Sequence, residues 1–158
     1  MAVLSIESPD LRSDLEPLAE LLDAYRVFYG LPSDLEAARA FVRERLERSD
    51  TRFFIVRAPE GALAAFAHLL PSLDTLSLRP IGILEDMYVA EAHRKAGIGG
   101  ALLDAAAAYA REHGYSRLTL ATAHQNRVAQ RLYLAHGYVP DQRFRTFNYF
   151  LDDSRSAP

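Results

Sequence analysis

Hydrophobic residues in the first third of the chain recur three or four positions apart, which is the spacing of one helix face. The recurring positions are Leu15, Leu18, Leu22, Tyr25 and Tyr29. Ser13 with Glu16 has the spacing of a capping box and predicts the start of this helix. A second capping box, Ser33 with Glu36, predicts another helix that runs to about Arg48.

The pattern then changes to short apolar runs that are typical of strands. "RFFIVRA" (52–58) predicts a strand, "PEG" (59–61) a turn, and "ALAAFAHLL" (62–70) the returning strand of a hairpin. Residues 71–80 carry a proline at each end and predict a loop. "IGILEDMYVA" (81–90) predicts the next strand.

The last part of the chain alternates again between helix and strand. Residues 98–113 predict a helix ended by a glycine, 116–122 a strand, 126–136 a second glycine-ended helix, and 138–152 one or two closing strands. With a short strand at 3–7, the order is β-α-α-β-β-β-α-β-α-β. This order predicts an α/β fold with a mixed sheet covered by helices. We expect one domain over 1–152 and a loose tail over 153–158.

Composition narrows the function classes only slightly. With 158 residues the chain is long enough for one well-buried domain, and 49% hydrophobic and 25% charged residues are ordinary for a globular protein. A net charge of −3 gives nucleic-acid binding no global electrostatic support. The chain has no cysteine, and its five histidines lack metal-ligand spacing, so we expect no metal. A basic, apolar leader and a long apolar run are both missing, which predicts a cytoplasmic protein with no membrane partner.

A glycine-rich turn follows the strand at 81–90. Gly97, Gly99 and Gly100 stand where the turn becomes a helix, and Arg94 with Lys95 adds two cations. Free N–H groups and the positive end of the dipole make a helix N-terminus suited to phosphate, and glycine lets the backbone approach it. A tight connection without a ligand explains the glycines alone. The added cations favour a phosphate site, although the Rossmann and Walker patterns are both absent.

At this point the sequence resembles a known family, the GCN5-related N-acetyltransferases (GNAT). "RKAGIG" resembles the family signature R/Q-x-x-G-x-G/A, and "LEDMYV" is similar to a strand of the diamine and polyamine acetyltransferase branch. A C-terminal motif N-x-x-A-x-x-L-Y-x-x-x-G-Y is also present. Its residues are Asn126, Ala129, Leu132, Tyr133, Gly137 and Tyr138. The resemblance covers nearly the whole chain and implies the GNAT fold, with a mixed, mostly antiparallel central sheet flanked by helices.

The resemblance also implies acetyl-CoA as co-substrate and assigns residues to it. Asn126 contacts the pantetheine arm, and Tyr133, seven residues later and so on the same helix face, protonates the leaving thiolate. The residues implied in binding acetyl-CoA are Met87, Tyr88, Val89, Arg94, Lys95, Ala96, Gly97, Ile98, Gly99, Gly100, Asn126 and Ala129.

Two adjacent carboxylates, Glu85 and Asp86, lie in a strand and are expected on opposite faces. An edge position or a salt bridge explains them, but so does an amine substrate. An alkyl amine has a pKa of about 10.4, so a site must attract the cation and remove its proton. By resemblance Glu85 is the base, while Asp86 orients neighbours or binds a second substrate charge. We expect Met87 and Val89 on the side of Glu85.

The acceptor is harder to identify. Tyr25 and Tyr29 end the first helix, where the resemblance implies an acceptor wall, although a plain core stripe explains them equally well. We predict direct transfer of an acetyl group from acetyl-CoA to a primary amine of a small, polyamine-like or amino-acid-like molecule. An aminoglycoside or protein amine, and a non-catalytic acyl-CoA sensor of the same fold, stay open as alternatives. Relatives are often dimers, which makes a homodimer an expectation.

Overall fold

The computed structural model describes residues 5–151, which form one five-stranded sheet with helices on both faces. Neighbouring strands are antiparallel except for the last pair, which is parallel, so the predicted mixed and mostly antiparallel sheet is confirmed. The strands, in chain order and also in spatial order, are β1 (Ile6–Glu7), β2 (Arg52–Arg57), β3 (Leu63–Asp74), β4 (Arg79–Val89) and β5 (Leu118–Thr119).

Four α-helices lie close to the predicted positions. They are α1 (Leu15–Phe28), α2 (Leu35–Arg48), α3 (Ile98–Glu112) and α4 (Arg127–Ala135). Of the predicted capping residues, Ser13 and Ser33 are each wrong by one position, because the N-caps are Asp14 and Asp34. The Asp34 carboxylate accepts the N–H three residues later, while the Ser33 hydroxyl donates instead to Asp23 at 2.5 Å.

The sheet separates two hydrophobic clusters. On one face α1 and α2 cover Ile55 and Phe66, and on the other α3 covers Ala67 and Leu69. Seven successive residues at the start of β3 are buried, because helices cover both of its faces. Continuous burial explains why this part of the strand reads as an apolar run in the sequence, with His68 as its one polar residue.

The predicted loop over 71–80 is wrong, because β3 and β4 continue as one long hairpin with a turn at 75–78 only. Pro71 pairs opposite Gly82, and Pro80 opposite Leu73. A proline removes one N–H donor but leaves its carbonyl, and the Pro80 carbonyl accepts from the Ser116 N–H at 2.8 Å. Proline therefore marks this part of the hairpin without ending it.

The predicted strands after β4 are shorter or missing. The predicted strand over 116–122 reduces to the two residues of β5. The predicted closing strands over 138–152 are wrong for 138–151, since this part has no strand and every residue of 139–151 is exposed. The first two residues of the strand predicted at 3–7, position 152 and the predicted tail 153–158 lie outside the described residues.

Candidate active site

A β-bulge interrupts β4 at the two carboxylates. Leu69 pairs with Leu84, but the preceding residue, His68, pairs with Asp86, so Glu85 is an extra residue without a partner on β3. Such a bulge bends a strand and changes the direction of the side chains beside it. The strict alternation predicted for Glu85 and Asp86 is therefore interrupted at this point.

The bulge overturns one prediction about faces. Met87 and Val89 pack with Leu84 against the α3-side cluster, whereas Glu85 is exposed. The charge of Glu85 instead acts on Tyr25, which packs on the α1 side. The expectation that Met87 and Val89 share a side with Glu85 is wrong, because the one extra residue shifts the alternation of everything that follows it.

Beyond the bulge, β4 has an unpaired edge within the described part of the chain. β4 pairs with β5 only at Gly82 and Ile83, and the strands separate after that point. The backbone groups of residues 84–89 on this edge are not used by β5. A strand edge of this kind can form hydrogen bonds with an extended amide-containing ligand.

On the α1 side an aromatic cluster surrounds the carboxylates. The ring centroids of Tyr25 and Tyr29 are 5.0 Å apart, and those of Tyr25 and Tyr88 are 6.3 Å apart. Burial, and then the carboxylate of Asp86, raises the pKa of Tyr25 well above its ordinary value. The structure thus brings the three predicted acceptor-binding residues, Tyr25, Tyr29 and Asp86, together; with Glu85 and Tyr88 we call them the acceptor side.

The start of α3 has the geometry of an anion site. Gly97 caps the helix with φ +77°, and a Cβ placed on it would meet no atom within 4 Å. The first helical bond runs from the Ala101 N–H to the Gly97 carbonyl, which leaves the N–H groups of residues 98–100 without a backbone partner among the described residues. With α4, residues 94–100 form what we call the donor side.

The two predicted cations of this turn behave differently. Lys95 stays in the turn with a positive φ of 65°, which is costly for a residue other than glycine and is typical of functional sites. Arg94 turns away: its Nε donates to the Val89 carbonyl at 3.0 Å, and its guanidinium lies 5.6 Å from the ring centroids of both Phe28 and Tyr88. Arg94 therefore connects the donor side to the aromatic cluster.

The other two glycines of the turn have a packing role. A Cβ on Gly99 would lie 3.0 Å from the Leu132 side chain, and a Cβ on Gly100 would lie 2.8 Å from the His136 ring. Both contacts are closer than ordinary van der Waals distance. Gly99 and Gly100 therefore allow α4 to approach α3, a role that the sequence pattern did not predict.

The helix α4 presents the predicted acid. Asn126 caps the helix, with its Oδ1 accepting the Ala129 N–H at 3.2 Å, so the side-chain amide group remains for a ligand. Burial, and then the neighbouring Tyr29 and Tyr138, raises the pKa of Tyr133 to about 12. Tyr133 is therefore protonated at neutral pH, and its interaction with Tyr29 places it beside the acceptor side.

Sequence reasoning missed one residue of this site. His68 is buried, with its Nδ1 3.2 Å from Asp86 Oδ2 and its Nε2 2.8 Å from Thr51 Oγ1. The signal was available, since His68 is the one polar residue in the apolar run 62–70. Its partners lie 17 and 18 positions away on the chain, and a sequence pattern does not predict side-chain contacts at that separation.

Residues 5–151 hold neither a metal-ligand cluster nor a membrane-spanning helix. No group of three or more metal-ligating side chains comes together in this range. None of the described helices has the length and apolar character needed to cross a membrane.

Comparisons with known proteins show which family the chain resembles. The profile of the Acetyltransferase (GNAT) family matches residues 16–138. An uncharacterized N-acetyltransferase of Bacillus subtilis, YhfO, is 39% identical over 132 residues, which is 84% of this chain and 88% of that protein. Aminoglycoside N(6')-acetyltransferase type 1 of Serratia marcescens is 32% identical over 117 residues, covering 72% of this chain and 78% of that protein.

A solved structure is also similar. The crystal structure of a probable acetyltransferase has a TM-score of 0.86 and 34% sequence identity, and the match covers 96% of this chain and 99% of that one. The family match begins within α1 and ends at Tyr138, so it includes both the donor side and the acceptor side. The exposed segment 139–151 follows the matched region.

Proposed function

Because the chain belongs to the GNAT family of acetyltransferases, and is an acyltransferase with the GNAT fold, we propose that it acetylates a primary amine of a small molecule. The proposed acceptor is polyamine-like or amino-acid-like. The observation that carries this proposal is the position of Tyr133, on the donor side, next to Tyr29 of the acceptor side. Tyr29 in turn packs on Tyr25, which interacts with the carboxylates of Asp86 and Glu85. We infer that the proton donor, the acidic amine site and the anion site face one cleft.

Acetyl-CoA is the proposed donor, and the donor side fits it. The free N–H groups of residues 98–100 and the nearby Lys95 match a diphosphate, and the open space at Gly97 lets that group approach. The edge of β4 that β5 leaves unpaired at Met87, together with the amide of Asn126, suits the amides of the pantetheine arm, while the Val89 carbonyl on the same edge is already bonded to Arg94. Acetyl-CoA supplies a thioester whose carbonyl carbon accepts the amine and whose thiolate leaves.

The acceptor side supports an amine. Glu85 and Asp86 attract an ammonium group, and the rings of Tyr25 and Tyr29 add favourable cation–π contact. With a pKa of about 10.4, only about one amine in 2,000 is neutral and nucleophilic at pH 7. We propose that Glu85 removes the amine proton, directly or through one water, as the N–C bond forms. Tyr133 then gives its proton to the sulfur as the C–S bond breaks.

An aminoglycoside acceptor is the second candidate, and the Serratia relative specifically favours it. A thiol-release assay with acetyl-CoA and a panel of a diamine, a basic amino acid and an aminoglycoside separates the candidates. We expect thiol release with the diamine or the amino acid. Release with the aminoglycoside alone would replace the first acceptor class by the second, and release with none of these amines would contradict the proposed function.

We also propose a homodimer formed through the C-terminal segment 139–151. This segment exposes an unusual number of large apolar side chains, and its hydrogen bonds among the described residues are internal ones to Asp141. The exposed apolar residues are Val139, Phe144, Phe147, Tyr149, Phe150 and Leu151. Within residues 5–151, no strand pairs with the outer edge of β5. A two-fold pair of copies, each adding its segment to the other's edge, satisfies both features.

Light scattering during gel filtration tests this assembly. We expect the full chain to elute as a dimer and a chain ending at Tyr138 as a monomer. Phe147→Asp should weaken the dimer, while Leu76→Asp, at an equally exposed position in the β3–β4 turn, should not. A dimer that survives truncation would exclude the segment as the interface.

Two further predictions concern the setting of the enzyme. The net charge of −3 supports a small-molecule acceptor over a nucleic-acid partner. The cytoplasmic location stays a prediction from the sequence, which cell fractionation of the native host checks.

A further inference from the structure

His68, in β3, is buried, and both its ring and its two ring nitrogens contact other side chains. His68 is only 1% exposed, and both of its ring nitrogens lie within hydrogen-bond distance of a side chain, Asp86 on one side and Thr51 on the other. Its ring stacks on Phe53, with 4.0 Å between centroids and 4° between planes, and the edge of Phe41 faces it at 6.0 Å. The imidazole cannot rotate without losing both polar contacts.

The chemistry of the two partners sets the direction of these bonds. An ionised carboxylate only accepts hydrogen bonds, so His68 Nδ1 carries a hydrogen and donates a hydrogen bond to Asp86. In the neutral ring Nε2 is then an acceptor, and the Thr51 hydroxyl donates to it. A line of hydrogen bonds thus runs across neighbouring strands, from the residue before β2 through β3 to β4.

Asp86 is the solvent-accessible end of this series of hydrogen bonds. Its side chain keeps 17% of its exposed area, whereas the His68 side chain keeps 2%. The bulge at Glu85 lies directly beside the His68–Asp86 pair, and Asp86 acts on Tyr25 of the acceptor side. One side of the carboxylate is held by His68 while the group stays accessible to a ligand in the cleft.

We propose that His68 is a positioning residue that holds the carboxylate of Asp86 ready to bind an ammonium group of the acceptor. The inference rests on the proposed function and narrows its substrate class. Glu85 takes the proton of the attacking nitrogen, so an ammonium group that stays bound at Asp86 while the N–C bond forms belongs to a second amino group. The preferred acceptor therefore carries at least two amino groups.

Steady-state kinetics with a diamine and a matched monoamine test this role. His68→Phe keeps the ring on Phe53 but loses both polar contacts, and we expect the diamine KM to rise about tenfold, the cost of one hydrogen bond to a charged group. The KM for acetyl-CoA and for the monoamine should change less than twofold. His68→Gln, which retains an N–H donor, should recover part of the loss.

A double-substitution cycle separates positioning from support of the fold. If His68 acts through Asp86, then His68→Phe adds no further rise in diamine KM to Asp86→Asn. Full additivity, or an equal rise in the KM for acetyl-CoA, would overturn the proposal. If His68→Phe does not fold, the same cycle is run with His68→Gln.

A measurement that needs no turnover distinguishes this inference from the proposed function. Imidazole ¹⁵N NMR of the full chain should show His68 protonated at Nδ1, with a shift that changes in Asp86→Asn. A wild-type ring protonated only at Nε2 would overturn the inference. A wild-type chain that releases no thiol with any amine would contradict the proposed function and leave the NMR result to decide the His68–Asp86 pair.

Discussion

The donor side and the acceptor side of the cleft are built in different ways. The donor side uses a continuous stretch, residues 94–100, and relies on backbone N–H groups and on one glycine with positive φ. The acceptor side relies on side chains from α1 and β4, and on His68 of β3 behind them. A backbone site depends on the local path of the chain, whereas a side-chain site depends on how distant segments pack.

This difference predicts different sensitivity to substitution. On the donor side most side chains are replaceable, provided that the backbone keeps its path. On the acceptor side a single side chain carries each interaction, so its replacement removes that interaction. Tyr133 joins the two sides, because it belongs to α4 but interacts with Tyr29, the residue that caps the C-terminus of α1.

The largest expected effect is at Tyr133. Tyr133→Phe removes the proposed acid, and we expect kcat to fall about 10²–10⁴-fold with little change in the KM for acetyl-CoA. Tyr138→Phe is the matched control, because the ring of Tyr138 is near Tyr133 and its buried hydroxyl has no hydrogen-bond partner among the described residues. An unchanged kcat in Tyr133→Phe would remove the acid role and break the link between the two sides.

The next effect is at Glu85. Glu85→Gln removes the proposed base, and we expect kcat/KM for the amine to fall about 10²-fold at neutral pH. The loss should be greatest well below pH 10, where nearly all of the amine is protonated, and should shrink as the pH approaches the amine pKa of about 10.4. Glu36→Gln, on exposed α2, is the control for loss of one negative charge. Parallel pH–rate profiles in the wild type and Glu85→Gln would contradict the base assignment.

A smaller expected effect tests whether backbone N–H groups bind the ligand on the donor side. Gly97→Ala places a Cβ in open space at φ +77°, with a strain of about 1 kcal/mol. We expect the Kd for CoA, measured by calorimetry, to rise about tenfold, because the first turn must shift. Gly61→Ala, at φ +92° with equally open surroundings in the β2–β3 turn, should show similar strain in Tm without any change in Kd. Equal Kd values in both variants would contradict the anion site.

The smallest expected effect is a loss of stability at alkaline pH, which compares one tyrosine from the donor side with one from the acceptor side. Burial raises the pKa of Tyr133 to about 12, and burial with Asp86 raises that of Tyr25 further. The ordinary value is about 10, so the folded chain holds these protons more tightly than the unfolded chain. Their stabilisation is complete below pH 10 and is lost as the pH rises towards the folded values.

Thermal melting from pH 8 to pH 11.5 checks this expectation. Tm should be flat below about pH 10 and fall above it, and the fall should be smaller in Tyr133→Phe and in Tyr25→Phe than in the wild type. Equal slopes in the wild type and both variants would mean that neither tyrosine is held in its neutral form by the fold.

Much of the fold was predictable, because strong periodicity survives tertiary packing. The helix predicted at 98–113 is Ile98–Glu112, and the hairpin at 52–70 is present with its turn. The predictions failed where the local signal was ambiguous. Prolines suggested a loop at 71–80, where the hairpin continues, and alternating apolar residues suggested strands after Tyr138, where the described chain forms none.

The features of the site also divide into those that the sequence predicted and those that it did not. The sequence by itself determined the family, the order of elements and the donor turn, because these depend on residues close together in the chain. Tertiary structure decided the bulge at Glu85, the turn of Arg94 towards Phe28, and the His68–Asp86 pair. These features arise from strand register and from contacts between distant segments, and neither one leaves a periodic trace in the sequence.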